Sequence, residues 1–440
     1  MERDFTQGPI RRSLIAFSLP LAAGNLLQQF YNIVDTWIVG HYLGNIALAA
    51  VGSAFSLMIL LNSLLLGLCM GSGVVFSQLC GEGNLQRMKQ AIANAFCLIF
   101  AASVLLLAVS YGTLPAVTKL MRIPQEAVSD FTGYLWIIFM GIPLTFLFHF
   151  FGAVLRSVGN SVAPLVFLLL STLVNIALDL LFVLVFHWGV KGAALATVIA
   201  QGISALGLAL YVFLRMPQFC PNHTHLHFDG LLLRRIISVS VLTSVQQSIM
   251  NFGILMVQSL VNSFGVATMA AFTAGVKIDS FAYSPAQDFA NGFSTFVAQN
   301  AGAGKSDRVR RGVREAAIVS LSFCLVVSVL VALFARPLLT LFVESNEQNV
   351  LDIGVQYLHL EGLFYVGIGM LFLLYATYRG LERAGMSIVL TIISLGLRVL
   401  ISYALAPTFG AWIIWASIPI GWFAADVVGI VGLVGLLRKK

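Results

Sequence analysis

Twelve long apolar runs dominate this chain and limit what it can fold into. They lie near residues 14–39, 46–77, 91–111, 131–152, 163–186, 190–214, 234–262, 268–299, 314–335, 353–376, 386–405 and 411–436. A helix crossing a bilayer needs about 20 mostly apolar residues, whereas a barrel strand needs about ten alternating ones. The runs are too long and continuous for strands. The sequence therefore predicts an all-α polytopic membrane protein with twelve transmembrane helices. Only 10% of residues are charged, against roughly 25% in soluble domains, and mean hydropathy is +0.93. Such a chain cannot coat a water-facing globule. The first run lacks a small-residue cleavage site and reads as a permanent helix. The five cysteines form no CxxC pair, and most lie in or beside apolar spans, where Cys behaves as a small hydrophobe.

Loop charge gives orientation. Nineteen basic residues fall in the termini and one alternate set of loops, among them Arg11, Arg87, Arg156, Arg235, Arg308 and Arg379. The other set holds only Lys119, Arg122, Lys191 and Arg336, and Lys277 and Arg398 lie within spans. By the positive-inside rule both termini are cytoplasmic. The net charge of +7 sits in these short loops, not in a basic, aromatic-interleaved stripe. It therefore points to membrane lipids as partners and not to nucleic acid.

The two halves repeat at an offset of 221 residues. Gly44, Ala49, Ala50, Gly71, Gln78, Gly81, Gly83 and Arg87 map onto Gly265, Ala270, Ala271, Gly292, Gln299, Gly302, Gly304 and Arg308. Six spans per half make the halves parallel, related by a pseudo-two-fold axis along the membrane normal. The expected organisation is an N-terminal six-helix lobe (1–214), a cytoplasmic linker (215–233) and a C-terminal six-helix lobe (234–440). The linker carries His223, His225 and His227. Only Cys220 and Asp229 stand near them as further ligands, so it reads as a solvated loop and not a metal site.

Ionisable residues inside spans are costly and point to function. Asp35 lies near the outer end of span 1, and Asp179 lies in span 5. The i, i+4 spacing puts Asn175 and Asp179 on one helix face. Thr197 lies about two turns inward from the outer end of span 6, so all four share the outer half of one bundle. Two carboxylates close together in low dielectric cannot both ionise cheaply. Such a pair would hold a proton near neutral pH and titrate as a unit. The same oxygens, with those of Asn175 and Thr197, suit a hard cation such as sodium. Pro20 removes a backbone hydrogen bond and is expected to bend span 1.

The stretch from Pro20 through Asp35 to Ala50 resembles the first helix of the multidrug and toxic compound extrusion (MATE) family. Leu155–Ser161, Asn175–Asp179 and Gln299–Lys305 are also similar to family patterns. The resemblance spans nearly the whole chain and is nearest the bacterial DinF-like branch. It implies two lobes around a V-shaped cavity, in a bacterial cytoplasmic membrane. It also implies a cation site at Asp35, Asn175, Asp179 and Thr197. Some relatives place coupling acids in helices 7 and 10. Here span 7 has none, Met256 stands at the position corresponding to Asp35, and span 10 offers only Glu361 near its outer end. The C-terminal lobe is therefore expected to lack an acidic pair. Its intramembrane charges read first as ion pairs, Lys277 with Asp426 or Asp279 and Asp288 with Arg398. A substrate cavity is expected to draw on Tyr31, Gln246, Gln247, Asn251, Tyr283, Lys277 and Asp288, with Gln258 and Trp136 as further contributors.

The resulting expectation is a monomeric antiporter that expels small amphipathic, cationic organic compounds in exchange for a proton or sodium ion. No other cofactor or metal is expected. A lipid-linked oligosaccharide flippase of the same superfamily is the alternative, but it should carry an Arg-rich cavity. An enzyme is disfavoured because no HExxH, GxSxG or paired HxxxH motif occurs on any span. Alternating access suits the buried acids and repeat better than an open channel does. Reporter fusions at Lys440 and within residues 215–233 should both read cytoplasmic. A signal from the outer side at either point would overturn the span count.

Overall fold

The structure is a computed structural model. It describes residues 3–438 apart from 122, 223, 224, 226 and 228, and omits the side chains of 45, 255 and 438. His223, Arg122, Lys439 and Lys440 thus lie outside the described residues.

Twelve helical passes are present among the described residues. The run Ile10–Gly81 is two helices, α1 (10–43) and α2 (Ile46–Gly81), merged across Gly44. They are followed by α3 (Leu85–Leu120), α4 (Gln125–Met140 and Ile142–Ser157), α5 (Val162–Val185) and α6 (Gly189–Arg215). The second half comprises α7 (Gly230–Asn262), α8 (Val266–Gly302), α9 (Ser306–Leu333), α10 (Gln348–Gly362 and Tyr365–Gly380), α11 (Ala384–Phe409) and α12 (Trp412–Arg438). By length and composition eight of the helices qualify as spans, and each of the two bent pairs adds one. The remaining two, α1 and α8, carry the intramembrane charges Asp35, Lys277, Asp279 and Asp288.

The repeat extends to backbone geometry. Gly44 and Gly265 have φ of 85° and 98° at equivalent helix junctions, and Gly83 and Gly304 have φ of 71° and 70° in equivalent loops. A side chain is strained at such φ, which accounts for glycine there. The bends also correspond: α4 turns by 44° at Gly141, and α10 by 49° between Gly362 and Tyr365. Pro20 does not break α1, whose helix runs through it to the non-helical Gly44. Membrane helices accommodate proline when neighbouring groups meet the freed carbonyl.

Packing divides the chain differently from the repeat. One compact unit comprises residues 1–3 and 23–244; the other comprises 4–22 and 245–440. The division of α1 falls just beyond Pro20, and that of α7 at the equivalent level. The opening segments of the two halves are thus exchanged. In the second unit, the Phe5 amide donates to Gln299 Oε1 at 3.0 Å, and Arg308 Nε and Asn300 Nδ2 donate to the Phe5 carbonyl at 2.9 and 3.1 Å. In the first unit, Arg235 Nη2 donates to Gln78 Oε1 at 2.6 Å. Gln78 and Gln299, equivalent in the repeat, thus each hold an incoming segment. The linker ends earlier than expected. Asp229 caps α7 by accepting from the amides of Leu231 and Leu232 at 2.9 and 3.2 Å, as N-caps do.

The core of the first unit includes Phe76, Phe131, Phe139, Phe146 and Phe150; Phe5, Phe17, Phe272, Phe293, Phe296 and Trp415 fill the second. Large apolar side chains elsewhere face outward, such as Leu105, Leu173 and Val326. That is the surface a lipid-embedded bundle needs. Within the first unit α2 and α7 meet almost backbone to backbone. A Cβ on Gly67 would stand 2.3 Å from Ser244 Cα, and one on Gly71 2.4 Å from Ser240 Cα. Small residues four apart on both helices allow this approach. Gly67→Leu and Gly71→Leu should therefore each lower the Tm of purified protein, with an overpacking cost of about 1–3 kcal/mol. Gly112→Ala, where a Cβ meets nothing within 4 Å, should leave it nearly unchanged.

Candidate functional site

The first unit gathers the four residues expected from the sequence. Asp179, the last α-helical residue of α5, is fully buried, and Asn175 and Thr197 are buried beside it. The next residues, Leu180–Val185, form a π-helical turn. Such turns are rare and recur at functional sites. It is held by Phe182, Phe186 and Trp188, whose ring centroids lie 4.9–5.9 Å apart. At Gly192 a Cβ would lie 3.1 Å from Phe182 Cβ, so glycine brings α6 close and sets Thr197 facing α5.

The carboxyl groups of Asp35 and Asp179 lie within hydrogen-bonding reach of each other. With its amide oriented to satisfy its neighbours, the Asn175 nitrogen donates to Asp179 Oδ2 at 2.9 Å and its oxygen accepts from the Thr197 amide at 3.2 Å. The Thr197 hydroxyl is 3.3 Å from the Tyr31 hydroxyl. Tyr31 therefore belongs to this cluster and not to the substrate cavity expected from the sequence. Tyr134 of α4, 8% exposed, stands beside both acids. Nothing in the sequence marked it, because its place depends on how α4 packs.

Asp35 Oδ1 and Asp179 Oδ1 are buried without a hydrogen-bond partner, and among the described residues no basic side chain reaches either acid. A lone charge in a membrane interior costs at least about 2.5–3.5 kcal/mol. A proton shared between the carboxyls removes one charge. A sodium ion would find carboxylate and hydroxyl oxygens, hard donors it prefers. Asp35, Asp179, Thr197 and Tyr31 are the residues that would hold it, while Asn175, whose oxygen is taken by the Thr197 amide, positions Asp179 through its NH2 group.

The second unit corrects four expectations. It does contain an acidic pair: Asp279 of α8 stands beside Glu361 of α10, both buried, with Arg398 of α11 close to both. The hydroxyls of Tyr357 and Tyr365, on either side of the α10 bend, both donate to Asp279. The spacing Tyr357, Glu361, Tyr365 placed all three on one face of span 10, but it could not reveal a partner 82 residues away. Next, Arg398 accompanies this pair and not Asp288. Lys277 is exposed, two positions from buried Asp279 and so on another face of α8, and makes no ion pair with Asp279 or Asp426. Finally, Arg379 is no loop residue. It is 5% exposed in the last turn of α10.

Gln246 and Gln247 line a pocket with Gln287, Asn291, Phe372 and Arg379. Asn251, Lys277, Tyr283 and Asp288 are not among its lining residues, though the Tyr283 ring lies 6.0 Å from that of Phe372. Gln258 instead donates to Asn262 Oδ1 at 2.8 Å. Trp136 is 58% exposed and packs on Tyr111 at the outer surface.

Comparison with known proteins agrees with this architecture. The chain is 29% identical over 420 residues to the probable multidrug resistance protein YpnP of Bacillus subtilis strain 168, covering 95% of this chain and 92% of that protein. It is 28% identical over 439 residues to the probable multidrug resistance protein YoeA of the same strain, covering 98% and 94%. In fold it matches an outward-facing multidrug resistance MATE family transporter of the MOP superfamily. The TM-score is 0.93 at 21% identity, over 99% of this chain and 97% of that one. The MatE family model matches twice, over residues 20–181 and 243–404, once in each half. The chain therefore belongs to the MatE family, whose members are membrane transporters and not enzymes.

Proposed function

We propose that this protein exports small amphipathic organic compounds, exchanging them for a proton or sodium ion bound between Asp35 and Asp179. The observation that carries this reading is a buried carboxyl pair in the spans, with two unpartnered oxygens and, among the described residues, no basic neighbour. Its charge must be balanced by a bound cation, and a bound cation can drive transport. The names of the relatives YpnP and YoeA support drug-like cargo. The protein works as a monomer in a bacterial cytoplasmic membrane, with both termini inside and no organic cofactor.

The ion drives export only if it stabilises the inward- and outward-facing states unequally. The drive is modest: one charge crossing 100 mV yields about 2.3 kcal/mol, a roughly 50-fold gradient. Exchange of a proton for a monovalent cation would draw on the pH difference alone, because the charges cancel. Tight binding by both acids prevents leakage of so small a drive. In the second unit Arg398 already offsets one carboxylate of the Asp279–Glu361 pair, which favours the first unit as the coupling site. A flippase for lipid-linked oligosaccharides fits less well. A pyrophosphate needs several basic groups, and only Arg379 is basic among the pocket's lining residues.

Reconstituted Asp35→Asn and Asp179→Asn proteins should each lose uphill transport in vesicles while still inserting and binding substrate. Glu361→Gln should retain it. Wild-type accumulation by both aspartate variants, or loss of coupling in Glu361→Gln at normal expression, would move the ion site. Imposing proton and sodium gradients separately identifies the ion. If it is sodium, Thr197→Val should weaken coupling about tenfold or more by removing a ligand oxygen. If it is a proton, Thr197→Val should change coupling little.

A further inference from the structure

Asp426 of α12 is a third kind of buried acid in this bundle, 5% exposed within the second unit. Its Oδ1 is buried without a hydrogen-bond partner, and no ion pair reaches it among the described residues. The helices packed against α12 are α10 and α11, and their charged groups face elsewhere. On α10, Asp352 bonds to Arg336, His359 to the Ala332 carbonyl, and Arg379 to Asn291 and Ser294. Glu361 of α10 and Arg398 of α11 gather with Asp279. The rest of α12 carries no charged residue before Arg438. A lone charge at this depth is costly.

One hydroxyl does face the carboxyl, backed by a second. The Tyr375 hydroxyl of α10 stands close to Asp426 and within hydrogen-bonding reach of the Thr391 hydroxyl of α11. Close packing fixes this arrangement. A Cβ on Gly429 would lie 2.7 Å from Leu374 Cδ1 and 3.0 Å from Leu390 Cδ1, the residues just before Tyr375 and Thr391. A hydroxyl has one proton to donate. That of Thr391 goes to the Ser387 carbonyl at 2.8 Å, so the Tyr375 proton goes to Thr391 and Tyr375 turns a lone pair to Asp426. A carboxylate would be repelled by that lone pair, whereas a protonated carboxyl donates into it. One carboxyl and two hydroxyls are fewer oxygens than a hard metal cation requires.

Tyr375 also lines the pocket that includes Gln246 and Gln287, whose enclosed space fits about one water. A hydronium there can protonate the Tyr375 oxygen while the phenol hydrogen passes to the Asp426 carboxylate. The products are a neutral phenol, a carboxylic acid and water.

We propose that Asp426, with Tyr375 and Thr391, is a second exchangeable-proton site, separate from Asp35 and Asp179 and loaded from the pocket through Tyr375. Under the export reading above it lets the second unit take up a further proton per cycle, but the site itself does not depend on that reading.

Infrared difference spectroscopy tests this on the full chain in phosphatidylcholine nanodiscs, stepped in pH without substrate or ion gradient. The difference between wild type and Asp426→Asn should contain a carboxylic C=O band at neutral pH that fades as the pH rises. Asp426→Glu should keep a titrating band at a shifted frequency, which keeps the proposal testable if Asp426→Asn misfolds. Tyr375→Phe should keep the band and slow its shift in D2O severalfold. The Asp426 band should persist in the Asp35→Asn/Asp179→Asn protein; its loss there would merge the two sites and overturn their separation. No Asp426-dependent band, or one that never fades at alkaline pH, would overturn the proposal, the latter by making Asp426 a fixed structural donor. Unchanged deuterium exchange in Tyr375→Phe would overturn the route through Tyr375.

Discussion

Hydrocarbon offers the backbone no hydrogen bonds, so each peptide group in a span must find its partner inside the protein. That constraint turns every long apolar run of this chain into a helix. It also makes each departure from regular helix informative. The π-helical turn follows directly on Asp179, and the 49° bend of α10 lies between Glu361 and Tyr365. Both irregularities adjoin buried carboxylates. The freed backbone is tolerated because it lies against packed protein, and it aims side chains that a straight helix would point elsewhere.

The two units use one helical plan for different electrostatics. In the first, Asp35 and Asp179 face each other with neutral amide and hydroxyl neighbours, so their charge can be answered only by something that binds. In the second, Asp279 accepts from two tyrosine hydroxyls, and Arg398 supplies a positive charge in the same region. The second unit also carries the opposite imbalance at Arg379. The two halves of one repeat thus carry buried charge of opposite sign, an acid cluster in the first unit and Arg379 in the second.

The exchange of opening segments ties these halves together through covalent continuity. Residues 4–22 pack with the second unit and 230–244 with the first, although each begins the other half in sequence. Pro20 stands close to the point where α1 passes from one unit to the other, and Asp35 lies fifteen residues further along the same helix. Proline leaves the helix intact but removes one of its backbone hydrogen bonds, a place where the helix carrying Asp35 can flex.

Apolar run length fixed the number and type of elements, and loop glycines fixed the repeat, because lipid and left-handed backbone each admit few residue types. The Asn175–Asp179 spacing and the polar depth of Asp35 and Thr197 exposed the buried acid cluster for the same reason: unpaired polarity is rare in a span. Tertiary structure alone decided the rest. Only packing brings Asp279 to Glu361, moves Tyr31 beside Thr197 in the acid cluster, turns Lys277 away from Asp279 and buries Arg379. In each case the outcome depends on which face of one helix meets which face of another. Residues far apart in the chain carry no local signal of that meeting.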